Sequence, residues 1–298
     1  MKAAEDKKPE KNIIVVYSPG GGNGKSEIAA NLAYTLAKEG HRTWVIDANT
    51  FAPTQDLIFR VPINGKTFSE FLIDPDADDL PWYDLSAHSA QYRGIPLYLT
   101  PSNRAIQEIR FRMQEAQGDG DTLAKRLPGA ISRKMQEEKI EYLIVDTHPG
   151  FEQINDVWLA MTEFLLLVSR INDIDLANLK AIMKQGDVTD IAYKLIVFNN
   201  VILDEHRNAR RDLEYHEVVD RMREIRSEDV FQTCLEKCEK LSGKDCGIVD
   251  VYDDPFLYSE KLASWGQFAN RSGLFVVDEK DDAFSKGIGE LSRYIVGL

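Results

Sequence analysis

The stretch Ser18-Pro19-Gly20-Gly21-Gly22-Asn23-Gly24-Lys25-Ser26 has the residue types needed to hold a polyanion. Closely spaced glycines let successive backbone N–H groups turn toward one charge and let a ligand approach the main chain. Lys25 adds a mobile positive charge for terminal phosphates, and Ser26 adds a hydroxyl oxygen for Mg²⁺. Two further runs end an apolar stretch on a carboxylate. Tyr142-Leu143-Ile144-Val145-Asp146 would set Asp146 opposite Ser26, holding Mg²⁺ through water. Val45-Ile46-Asp47-Ala48-Asn49 would set Asp47 at a strand tip, facing a ligand crevice. A bland alternative stands beside two of these readings: for the loop an ordinary glycine turn before a helix, and for Asp47 a helix or turn cap.

These groups work only if strands and helices carry them to one edge. Asn12–Tyr17 is a β-branched run that stops at the glycines, which predicts a buried strand followed by a turn. Lys25–Glu39 has apolar residues at Ile28, Leu32, Leu36 and Ala37, the spacing of a helix, and Gly40 ends it. Further strands are expected at Thr43–Ile46, Ile95–Leu99, Tyr142–Val145, Phe164–Val168, Lys194–Phe198 and Ile248–Val251, with an edge strand at Leu274–Val277. Helices are expected at Thr67–Ile73, Arg104–Ala116, Thr122–Lys139 (broken or kinked at Pro128), Asn155–Met161, Asp175–Lys184, Pro255–Ser264 and Asp282–Val296. Asp74–Ser89 reads as an acidic irregular loop, Gln117–Asp121 as a flexible link and Asp204–Lys240 as two charged helices.

Strands alternating with helices predict an α/β fold. It would be a mostly parallel twisted sheet of about seven or eight strands with helices on both faces. No linker divides the chain, so residues 12–298 read as a single domain behind a lysine-rich disordered tail, residues 1–11. Within that domain, residues 204–246 form a charged helical segment.

The chain has 298 residues, 43% of them hydrophobic, enough to bury a large core. A net charge of −13 disfavours general attraction to nucleic acid or anionic lipid, although a local basic patch could still bind either. Three cysteines, all within Cys234–Cys246, do not build a disulfide framework. No apolar run nears the roughly 18 residues that span a bilayer, and the N-terminus lacks a signal-peptide core. A cytoplasmic location is therefore expected.

The glycine loop resembles the deviant Walker A loop of the ParA/MinD family of P-loop ATPases, which reads Lys-Gly-Gly-x-Gly-Lys-[Ser/Thr]. Gly21, Gly22, Gly24, Lys25 and Ser26 match, and Asp146-Thr147-His148-Pro149-Gly150 is similar to that family's switch after the Walker B strand. The resemblance runs from Asn12 to about Tyr294 and implies a three-layer P-loop NTPase that takes ATP and Mg²⁺. It assigns Gly20, Gly21, Gly22, Asn23, Gly24, Lys25, Ser26 and Glu27 to the phosphates, Gly150 to the γ-phosphate and Asn199 to the adenine. The metal would fall to Ser26, Asp47 and Asp146, and the catalytic positions to Lys25, Asp47 and Asn49. Asn199 could equally be a strand-end turn former.

Three positions depart from the family. Its signature lysine, which reaches a partner subunit's nucleotide, falls at Gly20. The hydroxyl residue that touches the α-phosphate falls at Glu27. The second aspartate of Asp-x-Asp, which positions the attacking water, is Asn49. The resemblance further implies a nucleotide-dependent homodimer that positions or recruits a protein scaffold or cargo. The departures favour a second reading, a scaffold that binds ATP and barely turns it over.

A third reading, an ATPase that inserts metallocentres, would use Cys234, Cys238 and Cys246. Incidental thiols are the simpler reading of those three residues. The arginines between His206 and Arg226 read as a solvated face before a DNA- or partner-facing one. His148 reads as solvent-exposed. The chain ends just after its closing helix, without the basic amphipathic membrane helix of MinD-type proteins, so direct membrane binding is not expected. Bacterial tyrosine kinases share the opening but end in a tyrosine cluster, and this tail has only Tyr294.

Overall fold

The computed structural model describes residues 13–103, 120–150, 153–162, 164–185, 188, 191, 193–199, 215–227, 248–252, 255–256, 259–263 and 273–298. Its strands are β1 (Ile13–Tyr17), β2 (Thr43–Asp47), β3 (Tyr83–Asp84), β4 (Leu97–Thr100), β5 (Tyr142–Asp146), β6 (Phe164–Ser169), β7 (Tyr193–Phe198) and β8 (Ile248–Val251). They form one 8-stranded sheet in the order β3-β4-β2-β5-β1-β6-β7-β8. Every pairing is parallel except β3 with β4, which is antiparallel.

The strands read as unbroken apolar runs because both faces of the sheet are covered. Along β1, Val15 and Tyr17 enter one core while Ile14 and Val16 enter the other. The helices are α1 (Lys25–Lys38), α2 (Gln55–Phe59), α3 (Phe68–Ile73), α4 (Leu85–His88), α5 (Gly120–Glu137), α6 (Gln153–Met161), α7 (Asp173–Met183), α8 (Tyr215–Ser227), α9 (Glu260–Ala263), α10 (Phe275–Asp278) and α11 (Ala283–Gly297). α1 and α11 cover one face through Ile28, Leu32, Leu36, Ile288, Leu291 and Ile295. α5, α6, α7 and α8 cover the other, with Ile131, Trp158, Leu179 and Met222 buried against the sheet. Each such side chain contributes roughly 1.5–3 kcal/mol of transfer free energy.

Several expectations are corrected. Leu274–Val277 is not an edge strand: Phe275–Asp278 is helical, and Asn31 Oδ1 accepts the Val276 N–H at 3.1 Å. Phe275 is fully buried against Phe284, so a helical turn suits it better than an exposed edge. The stretch 74–89 is not wholly irregular, since β3 and α4 form there and Trp82 stacks on Tyr98 with ring centroids 4.4 Å apart. α5 continues through Pro128 and begins at Gly120, inside the expected link. Between residues 255 and 263, only Glu260–Ala263 is helical among the described residues. The expected helix Arg104–Ala116, the tail, the cysteines and the part of the arginine-rich segment before Tyr215 lie outside the described residues.

Candidate functional site

β1 and β5 are neighbours, and the register sets Asp47 beside Asp146 at the tips of β2 and β5. The loop from Ser18 to Gly24 crosses above these tips and enters α1. Gly22 and Gly24 have φ of 77° and 81°, a region that side chains resist. Gly24 caps α1 with no side-chain hydrogen bond, which leaves the first-turn N–H groups open to an anion. A Cβ on Gly24 would lie 2.2 Å from Asn199 Nδ2.

Lys25 is buried, and that burial lowers its pKa while the nearby Asp146 pulls it back up. Asp146 is fully buried and its pKa is raised by burial; the Gln55 amide, the Ser26 side chain and the charge of Lys25 oppose the rise. Ser26 and Asp146 are joined through Gln55, whose Nε2 reaches both the Ser26 carbonyl and Asp146 Oδ2. Asp146 Oδ2 accepts from Gln55 Nε2 at 2.8 Å, whereas Oδ1 is buried without a partner. An orphaned carboxylate oxygen beside a serine hydroxyl and a lysine fits a divalent cation carried in with phosphates.

Asp47 is arranged differently from its expected metal role. Its Oδ1 accepts the Asn49 N–H at 3.2 Å, and its Oδ2 accepts those of Thr54 and Gln55 at 2.9 and 3.0 Å. Both oxygens are engaged, so Asp47 anchors the start of α2, the capping alternative. Burial and then the charge of Asp146 raise its pKa well above the usual range. Asn49 lines the cavity, and its Oδ1 accepts the Ala52 N–H at 3.3 Å.

Glu27 does not turn away from the site. It is partly buried in the cavity wall, and burial together with Asp146 pushes its carboxyl up to about 7. A carboxyl whose pKa is higher folded than unfolded contributes stability that is complete below its ordinary 4.5 and lost as pH rises through about 7. Asp47 and Asp146 act in the same direction. The ligand-free protein is thus expected to melt several degrees lower at about pH 8 than at about pH 6, with Glu27→Gln flattening that slope. Thermal melts across that range check it; a rise in stability with pH would contradict the electrostatics described.

The loop after β5 is stitched to the loop after β1. Thr147 Oγ1 donates to Val16 O at 2.8 Å, and Tyr17 donates its hydroxyl to Gly150 O at 2.8 Å. The Gly150 N–H donates to Ser18 O at 3.1 Å, so here it is spent on the loop and not presented to a phosphate. Asn155, which the sequence did not single out, braces this turn through Nδ2 to His148 O at 3.1 Å and Gly150 O at 2.9 Å. His148 is partly buried, not solvent-exposed, because its ring packs edge-on against Phe51 at 4.5 Å. Gln55 was also missed; it joins Asp146 to the Ser26 carbonyl, which accepts from Nε2 at 3.1 Å.

Asn199 is buried beneath the glycine loop and donates Nδ2 to Asn23 O at 2.9 Å, while its Oδ1 has no partner. Asn23 is fully buried, so its side chain faces the protein interior. Gly20 has room: a Cβ there would meet only Asp175 Oδ1, at 3.8 Å. A cavity of about 1280 Å³ opens over Gly21, Gly22, Lys25, Ser26, Glu27 and Asn49 and runs on past Arg60 to Gly273. It exceeds the roughly 300–1,000 Å³ of common small-molecule sites. Among the described residues no helix is long and apolar enough to cross a membrane, and no cluster of His, Cys, Asp and Glu has metal-site geometry.

The family model described as "AAA domain" (AAA_31) matches residues 11–191, more than half of the chain. The iron-sulfur cluster carrier protein of Pseudomonas fragi is 29% identical over 141 residues, which are 47% of this chain and 42% of that protein. The chain thus spans less than half the length of that curated relative. Among solved structures, the MinC:MinD cell division protein complex of Aquifex aeolicus has a TM-score of 0.64 at 18% identity, covering 96% of both chains. The septum site-determining protein MinD complexed with Mg-ADP from Pyrococcus horikoshii OT3 has a TM-score of 0.63 at 16% identity, covering 95% of both. Fold, loop and family match agree: the chain belongs to the AAA-domain family AAA_31 and has the fold of the MinD structures.

Proposed function

We propose that this protein binds Mg-ATP at the glycine loop and uses it as a conformational switch for a protein partner or cargo. The observation that carries this is the unpaired Asp146 Oδ1, on a carboxylate that Gln55 joins to Ser26, behind the cavity that Lys25 and Ser26 line. Main-chain N–H groups of residues 20–26 would wrap the phosphates, Lys25 would meet the terminal ones, and Ser26 and Asp146 would hold Mg²⁺. Bound there, Mg²⁺ supplies positive charge where negative charge develops on the phosphoryl oxygens.

Asn199 supports adenine over guanine. Its donor end is committed to Asn23 O, which leaves only an acceptor, Oδ1, to meet a base. Adenine offers an amino donor where guanine offers a carbonyl. Asn49 orients water without accepting its proton, which suits slow turnover, since phosphoryl transfer depends mainly on positioning and charge. A dimer across the glycine-loop face belongs to this reading as well.

Steady-state ATP hydrolysis by the purified protein, with Lys25→Ala as the blank, tests the switch. Slow, Lys25-dependent turnover supports it. ATP binding with no turnover above the blank would replace it with the non-hydrolysing scaffold.

A second reading is favoured by the similarity to an iron-sulfur cluster carrier protein: the cargo is a metallocentre. It predicts stoichiometric iron in anaerobically purified protein, lost when Cys234, Cys238 and Cys246 are replaced together. Metal-free protein that cannot be loaded removes this reading and leaves a protein partner as the cargo.

A further inference from the structure

Gln55 is fully buried at the first position of α2. Its backbone N–H donates to Asp47 Oδ2 at 3.0 Å. Its side-chain Nε2 donates to Asp146 Oδ2 at 2.8 Å and to the Ser26 carbonyl at 3.1 Å. A single residue thus ties together both buried carboxylates and the first turn of α1. These acceptors come from three separate stretches of chain: the tip of β2, the tip of β5 and the end of the phosphate loop.

The orientation of the amide follows from its surroundings. A carboxylate and a carbonyl both need a donor, so Nε2 must face them and Oε1 must point elsewhere. Oε1 is buried with no partner, and so is Asp146 Oδ1. Two hydrogen-bonded residues therefore each keep one bare acceptor out of water. Bare buried acceptors are costly unless a donor or a cation comes to them. Filling space alone does not account for a glutamine here: an apolar side chain would deprive Asp146 Oδ2 and the Ser26 carbonyl of their donor, and the amide that supplies it leaves Oε1 over.

We propose that Gln55 is a positioning residue for the magnesium site. It pins Asp146 through Oδ2, leaves Oδ1 free to hold the ion through a water of its hydration shell, and offers its own Oε1 to another such water. The inference rests on the Mg-ATP reading above and extends it to a residue outside both phosphate-binding runs. Partners that fix a ligating carboxylate influence metal affinity without touching the metal.

The test compares ATP affinity, by calorimetry, in excess Mg²⁺ and in EDTA for the wild type, Gln55→Met and Gln55→Glu. Methionine keeps the length and removes the amide; glutamate keeps the shape and exchanges the donor for an acceptor. Gln55→Met is expected to bind ATP in EDTA about as the wild type does and to lose about 10- to 100-fold of the affinity that Mg²⁺ adds; Gln55→Glu, whose added charge also repels ATP in EDTA, is compared by its Mg²⁺ gain, with a loss of the same order. Equal weakening with and without Mg²⁺, or a gain from Mg²⁺ as large as that of the wild type, would overturn the proposal.

If neither variant folds, Mn²⁺ titrated with ATP into ¹⁵N-labelled wild type decides. Early broadening of the Gln55 side-chain amide supports the proposal, and an amide that survives saturation overturns it. A wild type with no gain from Mg²⁺ would instead overturn the nucleotide reading, and this inference with it.

Discussion

Lys25→Ala is expected to weaken ATP binding by roughly 30- to 4,000-fold. Removing one partner of a buried charge pair costs about 2–5 kcal/mol, and each 1.4 kcal/mol is tenfold in affinity. The geometry makes this position unusually sensitive. Lys25 is buried, and its ammonium is the positive group that holds down the raised pKa of Asp146. Without it, a polyphosphate would enter a cavity lined by Glu27 and backed by Asp146, with less positive charge to receive it. Arginine should not restore binding fully, since the lysine stem is packed and a planar guanidinium is not a point charge. Fluorescent-ATP titration of wild type, Lys25→Ala and Lys25→Arg checks this; affinity within threefold of wild type in the alanine variant would contradict it.

Gly24→Ala is expected to be the most damaging single-atom addition in the phosphate loop. Two costs combine. A side chain at φ 81° sits in the left-handed region, which costs roughly 1–2 kcal/mol. The new Cβ would also lie 2.2 Å from Asn199 Nδ2, so Asn199 must leave Asn23 O, and an unmet buried hydrogen bond costs about 1–3 kcal/mol more. The sum is about 2–5 kcal/mol, or a fall of roughly 4–10 °C in Tm for a chain of this size. ATP binding should weaken as well, because the loop backbone shifts at the residue that caps α1.

The double variant Gly24→Ala/Asn199→Ala separates the two costs. Removing the Asn199 side chain should return part of the lost stability, so the two substitutions would be less than additive. Additive losses in thermal melts would mean that the contact with Asn199 does not set the cost at Gly24.

Much of this site is legible in the sequence because the chemistry lies within short runs. The glycines from Gly20 to Gly24 precede Lys25 and Ser26 directly, and Asp146 closes its own strand. A buried parallel strand followed by a glycine turn and a helix places such groups together whatever the rest of the chain does. Gln55 was not legible for the opposite reason. Its partners lie 29 and 91 residues away, and it follows Pro53-Thr54 in a stretch with no periodic pattern.

Asp47 shows how a correct position can leave a role undecided. Its place at a strand tip could be read, but whether its oxygens face an ion or α2 depends on where Thr54 and Gln55 return. At Leu274–Val277, a short apolar run fits an edge strand and a buried helical turn equally well. Contact with α1 and α11 settles it as a turn, through Asn31 and Phe284. β3 has only two residues and is held by stacking of Trp82 on Tyr98, which no local pattern announces.

The central claim is best tested by an anomalous-scattering crystal structure of the protein grown with Mn²⁺ and a non-hydrolysable ATP analogue. The expected result is one manganese peak at direct coordination distance, about 2 Å, from the Ser26 hydroxyl and reached by Asp146 through water. The analogue's phosphates should lie against the main-chain N–H groups of residues 20–26. Phosphates bound elsewhere, or an occupied analogue with no metal between Ser26 and Asp146, would contradict the account.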